Sequence, residues 1–164
     1  MKETWLEKLL FGSKYFAWVW LIVRVYIGWI WLQAGLEKIK NPLWVGEKAG
    51  VAIQGFLANA LAKASGAHPA VASWYAAFIK DFALPNSTIF SYLVSYGEVV
   101  VGIALILGLF TGIAALFGGL MNLNYLLAGT ISINPLMLVV QILLMLAWRT
   151  AGWFGLDRYI NARR

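Results

Sequence analysis

Four long apolar runs, separated by polar or turn-forming segments, organise this chain. The first runs from Phe16 to Ile39. As a helix its 24 residues would rise about 36 Å, enough to cross a hydrocarbon core of about 30 Å with some tilt. Pro42 stops it. Three further runs, Ile89 to Phe110, Ile113 to Ile131 and Leu136 to Phe154, are joined by Thr111-Gly112 and Ser132 to Pro135. Such short turns make these three helices antiparallel neighbours.

Between the first and second runs lies a more polar connection, residues 41–88. Within it Val51, Ile53, Phe56, Leu57, Leu61 and Ala64 recur at helical spacing, and Ala70–Phe82 is weakly amphipathic. Both stretches are read as short helices lying at the membrane interface or capping the bundle. Gly66, Pro69, Pro85 and Asn86 punctuate them. The fold expected is all-α: an integral membrane four-helix bundle, one domain over residues 1–164, with a long external loop carrying short interfacial helices.

Composition agrees. Of 164 residues 62% are hydrophobic and only 12% charged, against roughly half and a quarter in soluble domains. Mean hydropathy is +0.75. Lipid removes the conflict between so much apolar surface and a small fold. The first run is too long for a signal peptide and no cleavage motif follows it. The net charge of +6 comes from basic residues near the span ends. They act as topology determinants, and no nucleic-acid partner is expected. Lys2, Lys8, Lys14, Arg149, Arg158, Arg163 and Arg164 lie in the flanks and tails, whereas the two tight turns carry no charge. Both termini are therefore expected in the cytoplasm of a plasma-membrane protein, with the 41–88 loop outside.

There is no cysteine and one histidine, His68. That leaves no thiolate ligands, no disulfide and no bis-histidine haem site within the chain. No metal site is expected. His68 reads as an exposed loop residue. Trp5, Trp18, Trp20, Trp44, Trp74, Trp148 and Trp153 fall near span ends or in the flanking segments, an aromatic belt first, with a subset able to stack on a flat quinone ring.

Each run has one small and polar stripe. Arg24, Gly28, Trp31, Gly35 and Lys38 follow a 4-3-4-3 rhythm, as do Ser91, Ser95, Glu98, Gly102 and Leu105. The third run offers Gly112, Ala115, Gly119, Asn122, Leu126 and Gly129; the fourth offers Asn134, Gln141 and Trp148. The glycines read as helix-packing positions. Intramembrane Arg24 and Glu98 are costly and are functional candidates. Counting along the helices puts them roughly 22 and 13 Å below the outer end, a gap that a snorkelling arginine can largely span. An Arg24–Glu98 ion pair fixing helix register and a ligand site are both open readings. Glu98, Gln141, Asn122 and, off the main stripe, Asn124 could line a polar pocket at middle depth. Asp157 and Arg149 read as inner-boundary anchors or a local ion pair.

Taken in order, several segments resemble the DoxX/DoxD family of small four-helix membrane proteins. They are Arg24-Val-Tyr-Ile-Gly28, Gln33-Ala-Gly35-Leu-Glu-Lys38, Asn41-Pro42-Leu-Trp44, Tyr96-Gly97-Glu98 through Gly102, Met121-Asn122-Leu-Asn124 and Ala151-Gly152 through Asp157-Arg158. The outer loop with Trp44 and Pro85 is similar to the DoxD branch, the membrane subunit of thiosulfate:quinone oxidoreductase. That resemblance implies thiosulfate oxidation to tetrathionate with electrons passed to a diffusible membrane quinone, and a DoxA-like or other redox partner subunit. On it, Glu98 and Arg24 are the catalytic candidates. Lys38, Trp44, Trp31, Gln141, Asn122 and Asn124 are the substrate- or quinone-binding candidates, and Gly28, Gly35, Gly102 and Asp157 are structural. A non-catalytic scaffold, a lipid- or small-molecule-binding protein and a homo-oligomer stay open.

Overall fold

The computed structural model describes residues 11–161. Trp5 and the terminal Lys2, Lys8, Arg163 and Arg164 lie outside them. All regular elements among the described residues are helical. Helix α1 is Ala17–Lys40, α2 Val51–Ala62 and α3 Ser73–Phe78, which runs into a wider π-turn at Ile79–Ala83; α4 is Ser87–Leu107, α5 Thr111–Leu127, α6 Asn134–Leu146, α7 Trp148–Ala151 and α8 Asp157–Asn161. Helices α1 and α4 are long and apolar enough to cross a membrane. Helices α5 and α6 are shorter than the runs that predicted them. At Ala147 the fourth run divides into α6 and α7, although Ala147 N and Ala151 N still bond to the carbonyls four residues back. The sequence there holds neither glycine nor proline, and nothing local explains the break. Helices α2 and α3 form where the outer loop's periodicity placed them.

The α1–α4 contact sets the frame. It is antiparallel and built on backbone approach. A methyl added to Gly28 would lie 2.9 Å from the Gly102 carbonyl oxygen, and one on Gly102 would lie 2.6 Å from Leu32 N. One on Gly35 would lie 2.7 Å from Val99 N. Absence of side chains here lets the helices close, as small residues do between apolar helices. The helices are staggered: Gly28 faces Gly102 and Ile106, while Gly35 faces Ser95 and Val99.

Two apolar clusters follow. An inner one joins Trp20, Ile27 and Trp31 of α1 to Val101, Leu105, Ala114, Ala115, Met137 and Leu144. An outer one packs Ile53, Leu57 and Ala60 of α2 on Val71, Tyr75, Ile79 and Ala83. Much of the helices' outward surface is apolar, with Ile22, Trp29, Ile89, Leu93, Val100, Ile113 and Leu136 all exposed. That is the outside expected of a chain solvated by lipid.

Candidate functional site

Glu98 sits on the buried stripe of α4 with 1% of its surface exposed. Lys38, near the end of α1, donates to its Oε2 at 2.7 Å, and the Tyr125 hydroxyl donates to its Oε1 at 2.6 Å. Both carboxylate oxygens are thus engaged, as a charge in a low-dielectric interior requires. Lys38 also lies 5.3 Å from the centre of the Trp44 ring, a cation–π contact. Trp44 is fixed in turn through its carbonyl oxygen, which accepts from the Ser91 hydroxyl at 2.6 Å.

The charge partner differs from the one that depth suggested. In the α1–α4 register Arg24 falls level with Gly108, and residues 24 and 38 are about 21 Å apart along α1. Equal depth would require α1 to end and α4 to begin in a common plane. In fact α4 begins well above the end of α1, so Glu98 lies nearer Lys38. The lysine's aliphatic stem reaches inward to the carboxylate.

Arg24, fully buried, instead closes a clasp at the other end. Its Nη2 donates to the Phe154 carbonyl at 3.2 Å. Its guanidinium packs against Gly108 and Gly155, where an added methyl would collide with it. Asp157 is its electrostatic counterpart. The Asp157 carboxylate accepts from Phe110 N at 2.7 Å and Thr111 N at 2.9 Å, capping α5 from forty-odd residues away. Its own N–H donates to the Gly108 carbonyl at 2.8 Å. The turn it holds is tight: Gly108 and Phe110 both have positive φ, 65° and 47°. Phenylalanine rarely adopts that conformation, and the cap holds it there.

Beside the Glu98 cluster lies an apolar cavity of about 180 Å³. The outer helices roof it with Ile53, Phe56, Leu57, Tyr75 and Phe78; Phe90, Leu93 and Val94 of α4 and Asn124 and Tyr125 of α5 form its walls, with Trp44 at the edge. Tyr125 belongs to both places. Its ring is stacked on Trp31 at 6.5 Å and meets Phe56 edge-on at 5.9 Å, while its hydroxyl holds Glu98. A second polar point is the Tyr75 hydroxyl, which donates to Asn124 Oδ1 at 3.1 Å. Burial pushes the Tyr75 phenol above its usual range, so it stays a donor. Leu93 lines the cavity yet is 64% exposed, so the cavity borders the outer, lipid-type surface.

Of the residues expected at one pocket, Trp44 and Asn124 line this cavity, Lys38 and Glu98 are tied to its wall through Trp44 and Tyr125, and Trp31 stacks on Tyr125. Asn122 and Gln141 are buried but do not line it. His68 is exposed in the loop. Tyr125, Tyr75 and Phe56 were not legible as site residues, because aromatics in apolar runs look like core. The one signal for Tyr125 was its place three residues beyond Asn122, on an adjacent line of the same helix.

A family model described as DoxX matches residues 19–130, from the first turn of α1 to the end of α5. The chain belongs to the DoxX family. The match spans α1 and α4, which position Glu98 and Lys38, as well as the outer helices and Tyr125. Family and apolar helices together make this DoxX protein a membrane protein. No curated protein and no solved structure matches it.

Proposed function

We propose that this DoxX protein is the membrane subunit of a quinone-linked oxidoreductase, with the quinone ring in the cavity beside Tyr125. The observation that carries the reading is the shared tyrosine: one side chain is both cavity wall and hydrogen-bond donor to a buried, lysine-paired carboxylate. The cavity suits a flat ring, because aromatic faces line it and polar atoms are few. Its edge at Leu93 suits a molecule that arrives from lipid.

Quinone reduction takes up two electrons and two protons. Each of the two protons would come from the Tyr125 hydroxyl at the cavity wall; the phenolate so formed would be re-protonated through Glu98, a carboxylate at rest that first takes a proton from the Lys38 ammonium, which is replenished from outside water. Tyr75 and Asn124 offer a second polar contact. In the topology that goes with this reading, α1, α4, α5 and α6–α7 all cross the plasma membrane, with the termini cytoplasmic and the 41–88 loop outside. The electron donor is thiosulfate or a similar sulfur anion, two of which give tetrathionate and two electrons. Exposed Lys40 and Lys48 would draw it in, since Lys38 is already held by Glu98. A DoxA-like subunit would complete the donor side.

The test is anaerobic reduction of a short-chain quinone by the purified protein in nanodiscs, with and without thiosulfate. Thiosulfate-dependent loss of quinone absorbance, abolished in Glu98→Gln, is expected. Undiminished turnover in that variant would remove Glu98 from the chemistry.

A second reading, a non-catalytic scaffold for a redox enzyme, draws on the same ion pair. Both Glu98 oxygens are already bonded, as in a pair that fixes register. No quinone reduction by well-folded protein, with a stoichiometric partner co-purifying on the outer loop, would favour it.

A further inference from the structure

Three buried side chains take no part in the cavity or the clasp. Asn122 and Gln141 are 0% and 1% exposed, and neither amide has a hydrogen-bond partner among the described residues. Trp31 is 3% exposed, and its indole N–H is likewise unpartnered. Leaving one such group unsatisfied is rare in native interiors. Here five such atoms sit on three side chains placed along one stretch of α5.

Helix register brings them together. The Gln141 amide lies over Gly118, where an added methyl would overlap it. Asn122 is one turn further along the same face of α5. Three residues beyond Asn122 stands Tyr125, and on its ring stacks Trp31. Gly118 therefore leaves the notch into which Gln141 folds. Trp31 and Asn122 thus adjoin Tyr125, and none of the three groups lines the aromatic cavity. Ile27, Leu105 and Leu144 belong to the same apolar cluster as Trp31. Gln141 also lines the groove between α5 and α6 with Ala115, Gly119, Leu138 and Met145, which is otherwise apolar and offers it no partner.

We propose that Trp31, Asn122 and Gln141 form an internal hydration chamber that holds ordered water behind the Tyr125–Glu98 pair. The chemistry favours water over an ion, because the set is neutral and supplies both donors and acceptors. A buried water makes about three hydrogen bonds, so five polar atoms are matched by about two waters. The chamber places water within a helical turn of Tyr125, where its dipoles can reorient as charge shifts on the Tyr125–Glu98 pair during turnover. That use rests on the proposed quinone chemistry, whereas the hydration itself does not.

Radiolytic hydroxyl-radical footprinting of the intact protein in nanodiscs, read by mass spectrometry, separates the two. Internal water generates radicals in place and oxidises its neighbours. Met137, 4% exposed and in the same core cluster as Trp31, is the natural reporter. Oxidation of Met137 and Trp31 is expected in the wild type, with a fall of about five-fold or more in Asn122→Leu/Gln141→Leu. Should that variant not fold, Gln141→Met, an unbranched replacement of similar length, is expected to lower Met137 oxidation in the same direction. Equal oxidation of Met137 and Trp31 in wild type and a folded variant would overturn the chamber, whatever the quinone assay gives.

Discussion

Lys38 and Glu98 form a 2.7 Å ion pair between α1 and α4, although the carboxylate is almost wholly buried and the lysine is about one-fifth exposed. The asymmetry matters. The lysine can turn back toward the polar boundary if its partner is lost, but the carboxylate has nowhere to go.

The pair therefore predicts an unequal double-mutant cycle. Lys38→Met strands a buried carboxylate, for which about 3–5 kcal/mol is typical. Glu98→Gln frees a lysine that can reach solvent, so it should cost less. The double variant should be more stable than Lys38→Met alone. Unfolding midpoints in mild detergent would check the order; a double variant worse than either single would count against the pairing.

Tyr125 divides into a ring and a hydroxyl. Tyr125→Phe keeps the stack on Trp31 and the cavity wall but removes the donor to Glu98, a loss of about 1.5–3 kcal/mol for a bond to a charged group. Quinone reduction should slow in Tyr125→Phe with little change in quinone affinity. A change confined to affinity would place the hydroxyl on the ligand and not on the proton path.

The α1–α4 contact predicts a sharp contrast between two glycines of α4. Gly102→Ala must push Leu32 N away or separate the helices, with a cost of about 1–3 kcal/mol or more. At Gly97 an added methyl meets only Met121 Sδ at 3.7 Å, so Gly97→Ala should be neutral or slightly stabilising. Thermal midpoints of the two variants give the comparison directly.

Asp157→Ala removes two hydrogen bonds from the start of α5 and the counter-charge of Arg24 at once. The turn at Gly108–Phe110 loses what holds Phe110 at positive φ. The expected result is a protein destabilised by a few kcal/mol, with faster amide exchange at Phe110 and Thr111. Exchange unchanged at those two amides would mean that the cap is dispensable.

Much of the architecture was readable in the sequence. The apolar runs, the small-polar stripes and the short helices of the 41–88 connection depend on spacing along one chain. Spacing is fixed by helical geometry whatever the neighbours do. Thus Arg24, Gly28, Trp31 and Gly35 do line the buried face of α1, and Ser91, Ser95, Glu98 and Gly102 that of α4. The chain also carries its family signature, and with it membrane character.

Which charge meets which was beyond the sequence. Pairing depends on the stagger of α1 against α4, and that stagger comes from where the glycines let two backbones touch. A slide of a few residues exchanges Arg24 for Lys38 as the nearer partner of Glu98 without altering either helix's own pattern. The same holds for Tyr125, whose role follows from which side chains enclose it, and for Asp157, which caps a helix far from it in the chain. Hydrophobic periodicity determined the helices and their inward faces; only the packing of those faces, through close contacts that no single helix contains, decided the site.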